Sequence, residues 1–118
     1  MPESVPSARV PELDVTDLGR LFALSLDLLA IASPIDGYFR RVNPAVSRVL
    51  GWSESELLAT PIATLVHPDD LDASIRALAR LARGESLIQF EHRLRCKDGT
   101  YRWIGWNTAS SPAAGLVY

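Results

Sequence analysis

The chain has 118 residues, 47% of them hydrophobic, and a formal net charge of −2, which suits one domain of ordinary size with a buried core. The acidic balance and the scattered basic residues argue against nucleic acid as a partner. A single cysteine excludes an internal disulfide framework and favours a reducing, cytoplasmic setting. No apolar run approaches the roughly 20 residues that span a bilayer, so we expect no membrane contact.

The chain begins with a proline-rich segment, residues 1–11, which we interpret as a flexible lead-in. In the following segment Leu18, Leu21 and Phe22 recur at helical spacing. This pattern predicts an amphipathic helix over residues 12–26. We assign residues 27–118 to the domain proper.

A β-hairpin and two capped helices follow. The apolar run 28–32 and the segment 38–42 flank an Asp-Gly pair, which strongly indicates a hairpin turn. Asn43 precedes a proline, as at a helix start, and Gly51 can take the left-handed position that ends this helix. Residues 53–56 read Ser-Glu-Ser-Glu, a capping box that predicts a second short helix.

The longest helix is predicted over residues 71–83, directly after the Val-His-Pro-Asp-Asp segment. Strand 87–96 alternates apolar and polar residues, and strand 101–109 is its partner across a Lys-Asp-Gly-Thr turn. Trp103 and Trp106 then point to opposite faces of the second strand, so we expect both faces to be covered. A helix, a hairpin, a helical layer and a strand meander predict an α+β fold, with an antiparallel sheet and helices on one face.

The order of these motifs resembles the PAS family, in the branch common in bacterial sensor kinases and cyclic-dinucleotide enzymes. The matching stretches are Asp36-Gly37, Val42-Asn43-Pro44-Ala45, Leu50-Gly51-Trp52, Glu56-Leu57-Leu58, Val66-His67-Pro68-Asp69-Asp70, Phe90-Glu91-His92-Arg93, Lys97-Asp98-Gly99-Thr100 and Arg102-Trp103-Ile104. The resemblance implies a five-stranded antiparallel sheet wrapped around a small pocket. It also implies a non-catalytic signalling module in a larger protein, whose last strand is cut at Tyr118.

Two sets of residues are candidate functional sites. The set expected to line the pocket consists of Ile75, Leu78, Ala79, Ile88, Phe90, His92, Leu94, Ile104 and Trp106. The set expected at a dimer or helix-packing interface consists of Leu18, Leu21, Phe22 and Trp103. His92 is the one polar member of its apolar strand face. Its simpler interpretation is a satisfied core histidine, and its functional one is a ligand contact or a pH-sensitive group.

Catalysis and the common cofactors are disfavoured by the residues present. His67 and His92 are too far apart in sequence for zinc spacing, and His67 fits a helix-capping role. Haem-binding PAS relatives present a histidine from the long helix, and residues 71–83 contain none. Flavin-binding relatives carry a cysteine motif in the helical segment, whereas Cys96 lies at a strand end. We therefore expect no metal, haem or flavin and no enzymatic activity.

Two functions remain open from the sequence. In the first, the pocket binds a small molecule and biases an output domain, a histidine kinase or a diguanylate cyclase. In the second, the domain is a ligand-free interaction module that serves to form a homodimer. A bulky apolar pocket set fits either a filled core or a cavity for an apolar ligand.

Overall fold

The computed structural model describes residues 15–111 and 116–117. The elements in chain order are α1 Val15–Leu24, β1 Ala30–Ser33, β2 Tyr38–Val42, α2 Pro44–Leu50, α3 Glu54–Leu58, α4 Ile62–Leu65, a 3₁₀ turn Pro68–Asp70, α5 Leu71–Ala82, β3 Leu87–Arg95, β4 Tyr101–Thr108, β5 Ser110–Ser111 and β6 Leu116–Val117. The lead-in over residues 1–11 and the predicted start of the first helix at 12–14 lie outside the described residues.

The strands form antiparallel pairs, which confirms the α+β class, but they divide between two sheets. One sheet has the order β2-β1-β6-β5, and the other is the hairpin β3-β4. The expected single sheet of five strands is therefore wrong in detail. The β3-β4 ladder ends where Leu87 pairs with Thr108. The chain continues past Ala109 into β5, where Ser110 pairs with Val117 of β6 instead.

The helical layer begins and ends where the local signals indicate. Asn43 has extended backbone angles and its side chain accepts a hydrogen bond from the first turn of α2, with Pro44 at the first helical position. Gly51 ends α2 with φ 83°, a left-handed conformation that favours glycine. Ser53 and Glu56 form both halves of the capping box of α3. These predictions are confirmed.

A β-bulge changes which side chains of β3 face inward. The β3-β4 register shifts between Leu87 and Phe90, and Gln89 has φ 55°. The extra residue turns Leu87 into the core and leaves Ile88 82% exposed. The simple alternation that placed Ile88 beside Phe90 and His92 fails at this point.

Helix α5 is rotated relative to its predicted apolar face. Its buried residues are Ser74, Ala77 and Leu81. Ile75 is 51% exposed and Ala79 is exposed. Ser74 faces inward, and its hydroxyl lies 2.9 Å from a ring nitrogen of His92 in β3.

The core consists of two clusters. The larger is made of buried residues from β2, the helical layer and the β3-β4 hairpin: Phe39, Val42, Val46, Leu50, Leu57, Ile62, Leu65, Val66, Leu94, Cys96 and Ile104. The smaller joins α5 to the start of β3: Ala77, Leu81 and Leu87, with Phe90 packed against them. A cavity lies beside both clusters.

Candidate functional site: an apolar cavity with one polar cluster

The cavity has a volume of about 310 Å³, and its wall is drawn from α1, the 28–34 segment, β2, α4, α5 and the β3-β4 hairpin. Most of the wall is aliphatic or aromatic, with Leu28, Leu78 and Phe90 among its members. The volume is in the range of natural small-molecule sites. This is the feature of the described structure best suited to holding a ligand.

The structure brings five of the nine expected pocket residues to the cavity wall: Ile75, Leu78, Phe90, His92 and Trp106. The other four lie elsewhere. Ala79 and Ile88 are exposed, because of the rotation of α5 and the bulge in β3. Leu94 and Ile104 are buried in the larger core cluster, packed against side chains instead of lining open space.

His92 lies at the centre of a chain of three polar side chains in the cavity wall. It is 6% exposed. The Trp106 indole donates its Nε1–H to His92 Nε2 at 2.9 Å. On the other side of the ring, His92 Nδ1 and Ser74 Oγ are 2.9 Å apart. Both ring nitrogens of the histidine therefore have a side-chain partner.

The hydrogen bonds determine the tautomer of His92. An indole N–H can only donate, so Nε2 must be the unprotonated, accepting nitrogen. The proton of the neutral ring is then on Nδ1, which donates to Ser74 Oγ. Burial away from water lowers the pKa of His92 to about 4, with a small opposing effect from the Asp70 charge. The ring is neutral near pH 7.

Asn43 does more than cap a helix, and no sequence pattern indicated this additional role. Its side chain is completely buried. Its Nδ2 donates to the carbonyls of Phe22 at 3.1 Å and Asp27 at 2.8 Å. Its Oδ1 accepts from the Leu29 amide at 3.0 Å. The segment that follows α1 is thus fastened to the start of α2, beside the cavity.

A second polar clasp joins the start of α5 to β3. Asp70 accepts both the backbone amide and the guanidinium of Arg93, with distances of 2.8–2.9 Å. These hydrogen bonds hold the pKa of Asp70 down at about 2. His67 caps the preceding 3₁₀ turn through Nδ1, as expected from its motif. Arg93 is therefore part of a fixed contact between β3 and the start of α5.

The expected interface residues separate into two groups. Leu18, Leu21 and Trp103 are exposed, at 54%, 60% and 64%. Phe22 is half-buried and lines the cavity, and the Arg41 guanidinium lies 5.4 Å from its ring centre. Helix α1 does not cover Trp103 within the chain. The Arg93 guanidinium is stacked 4.7 Å from the Trp103 ring centre.

Two further kinds of site are not found in the described part of the chain. No three or more His, Cys, Asp or Glu side chains gather there in a way that could hold a metal ion. None of the helices within 15–111 combines the length and apolar character needed to cross a membrane.

The described chain combines antiparallel strands in two sheets, a helical layer and a half-open apolar cavity. A family model described as the PAS fold matches residues 28–111, well over half of the chain. The chain therefore belongs to the PAS family. The match includes the cavity wall except Phe22.

Solved structures agree on the fold. A domain of a sensory box sensor histidine kinase/response regulator from Geobacter sulfurreducens superposes with a TM-score of 0.72 and 24% identity, covering 86% of this chain and 87% of that one. The PAS domain of an HTR-like protein from Haloarcula marismortui gives 0.70 and 24%, covering 86% of each. At these identities the likeness is one of fold.

A curated relative is also similar over part of the chain. White collar 1 protein of Neurospora crassa is 29% identical over 70 residues, which is 59% of this chain. The aligned stretch is only 6% of that protein. The similarity therefore concerns one domain within a much larger protein.

Proposed function

We propose that this chain is a non-catalytic PAS sensory domain that binds a small molecule in its cavity and biases an attached output domain of the kinase or cyclase type. The observation that carries the proposal is the cavity of about 310 Å³ with a mostly apolar wall. Cavities of this kind bury most of a small ligand and gain affinity from the apolar area removed from water.

The cavity wall includes part of α1, so a ligand in the cavity would act on the position of this helix. Phe22 belongs to α1 and lines the cavity, so a bound molecule contacts that helix directly. Asn43 holds the carbonyls of Phe22 and Asp27 on the core side. A ligand that binds more tightly when α1 is in one position than in another increases the fraction of molecules with α1 in the first position. Only such a difference in affinity transmits a signal.

The proposal is tested by filling the cavity. Leu78 lines the cavity, whereas its neighbour Ala79 is exposed, so Leu78→Trp and Ala79→Trp form a matched pair. We expect compounds from a panel of small aromatic and aliphatic molecules to raise the Tm of the parent and of Ala79→Trp, but not that of Leu78→Trp. If no compound raises the Tm, or if the active ones stabilise Leu78→Trp equally, the cavity is not a ligand site.

The second candidate is a ligand-free module that acts through self-association. Its support is that Leu18, Leu21 and Trp103 are each exposed, and large exposed apolar side chains become buried when they form an interaction surface. Sedimentation of the parent, of Leu21→Glu and of the control Ala23→Glu tests it. A dimer lost only in Leu21→Glu supports this function. A monomer in all three contradicts it.

A further inference from the structure

Ser74 carries a buried hydrogen-bond donor that nothing in the described part of the chain accepts. The residue is 6% exposed and lines the cavity. Its oxygen accepts the Nδ1–H of His92, because the Trp106 indole already requires the other ring nitrogen to be an acceptor. The proton of the Ser74 hydroxyl is then left without an acceptor among residues 15–111, so the hydroxyl uses only part of its hydrogen-bonding capacity.

The other polar groups of the wall are accounted for differently. The Thr108 hydroxyl bonds the backbone of Leu87 in both directions. Asn107 accepts from the Gln89 amide and is exposed, so water can reach its amino group. Among the described side chains of the wall, the Ser74 hydroxyl is therefore the buried donor available to a molecule inside the cavity.

The described cavity wall carries no formal charge. Its lining residues include no Asp, Glu, Lys or Arg, and burial keeps His92 neutral by lowering its pKa to about 4. The cavity is half open, but at its Ser74 end, where Ser74 and His92 are each 6% exposed, a carboxylate or ammonium group would lose its hydration without gaining a partner of opposite charge from the wall. Burying an unpaired charge is strongly unfavourable.

We propose that the cavity is selective for an uncharged molecule with an apolar body and one hydrogen-bond acceptor, such as a carbonyl oxygen, directed at the Ser74 hydroxyl. This inference rests on the proposed sensory function and adds the chemical class of the ligand. The acceptor end is oriented by the Trp106–His92–Ser74 chain of hydrogen bonds, and the apolar body contacts side chains such as Leu78 and Phe90.

Three probes with a related carbon skeleton separate the possibilities by isothermal titration calorimetry on the whole chain. Butyrophenone is uncharged and has a carbonyl acceptor, butylbenzene lacks the acceptor, and 4-phenylbutanoate carries a negative charge. We expect butyrophenone to bind roughly two- to tenfold more tightly than butylbenzene, the effect of one net hydrogen bond. We expect 4-phenylbutanoate to bind at least about tenfold more weakly than the ketone.

A conservative variant assigns the ketone preference to Ser74. Ser74→Cys keeps a group of similar shape but replaces the hydroxyl with a weak donor. We expect it to reduce the preference for butyrophenone over butylbenzene towards one while leaving butylbenzene affinity within about twofold. Ser86→Cys makes the same change at an exposed residue outside the cavity wall, and it should leave both affinities unchanged.

The outcomes distinguish the two proposals. Equal binding of ketone and hydrocarbon, a ketone preference that persists in Ser74→Cys, or a carboxylate that binds as tightly as the ketone overturns the ligand class while the cavity remains a binding site. Failure of all three probes to bind overturns the ligand class and counts against the sensory function as well. Only loss of the ketone preference in Ser74→Cys, with Ser86→Cys like the parent, supports the inference.

Discussion

The interior has two regions that are packed differently. In the larger cluster Leu50, Leu57 and Leu94 are 0–1% exposed and surrounded on every side. Around the cavity, Leu78 and Phe90 are only half-buried and Ile75 is 51% exposed. Side chains that are packed on all sides stabilise the fold through van der Waals contacts. Side chains that line a cavity lack these contacts on one side and stabilise it less. This contrast supports the proposal of a ligand site in the second region.

The buried polar residues differ in the same way. The side-chain amide of Asn43 both donates to and accepts from the backbone, so its oxygen and its amino group have partners. His92 faces the cavity, and its chain of hydrogen bonds ends on a hydroxyl proton with no described acceptor. A saturated network fixes structure, while an unsaturated one in a cavity wall provides a place for a ligand atom.

The largest expected effect is the difference in stability lost when one leucine from each region is replaced by alanine. Leu94→Ala should lower the free energy of unfolding by about 3–5 kcal/mol, because Leu94 is completely buried and a cavity remains. Leu78→Ala should cost roughly 1 kcal/mol, because Leu78 already borders open space and loses fewer contacts. Urea unfolding followed by circular dichroism measures both. Equal losses in the two variants would contradict the difference in packing.

The sequence predicted what depends on near neighbours. The cap at Asn43, the left-handed Gly51 and the capping box at Ser53 each need only a few adjacent residues, and all three are confirmed. The bulge at Gln89 depends on its partner strand, so its effect on Ile88 could not be read from alternation.

The inward face of α5 illustrates the same limit at the cavity. Leu71, Ser74, Leu78 and Leu81 have helical spacing, but a serine in such a stripe resembles an interruption until His92 is known to face it. The contact between Asp70 and Arg93 also joins residues far apart in the chain. A polar residue within an otherwise apolar helical stripe is the signal that would have identified Ser74.

The second effect concerns Asn43. As a simple helix cap, Asn43→Ala would cost about 1 kcal/mol. Because the substitution also leaves the Leu29 amide and two carbonyls without their partner, we expect about 3 kcal/mol. Ser53→Ala, which removes an exposed cap, is the comparison and should cost about 1 kcal/mol. Similar denaturant midpoints for the two variants would show that the long-range bonds of Asn43 do not stabilise the fold.

The third effect is a pH dependence that belongs to the cavity region. The pKa of His92 is lowered from 6.5 to about 4 in the folded chain. The contribution of His92 to the free energy of unfolding is therefore fully present above pH 6.5. It is lost as the pH falls towards 4, at up to about 1.4 kcal/mol per pH unit. The Asp70 contribution is lost only below its ordinary value of 3.8, as the pH approaches 2.

His92→Phe isolates this titration. Urea unfolding at pH 7.0, 5.5 and 4.5 should show a steep loss of stability in the parent and a much shallower one in the variant. The same slope in both proteins would mean that another group causes the loss.

The smallest expected effect tests the bulge. Ile88→Ala should change the free energy of unfolding by no more than about 0.5 kcal/mol, because Ile88 is 82% exposed. Leu87→Ala, one residue earlier, removes a buried side chain and should cost about 2–4 kcal/mol. A larger loss of stability for Ile88→Ala than for Leu87→Ala would contradict the bulge and support plain alternation along β3.

The central claim is that the cavity is a ligand site. The most direct test is a ¹⁵N NMR titration with butyrophenone that follows the three indole N–H resonances. Trp106 lines the cavity, Trp52 is bonded to the Arg95 carbonyl at 2.8 Å, and Trp103 is 64% exposed. We predict a saturable shift of the Trp106 resonance, with those of Trp52 and Trp103 unmoved. A Trp106 resonance that stays in place throughout the titration, or a shift confined to Trp103, would contradict the claim.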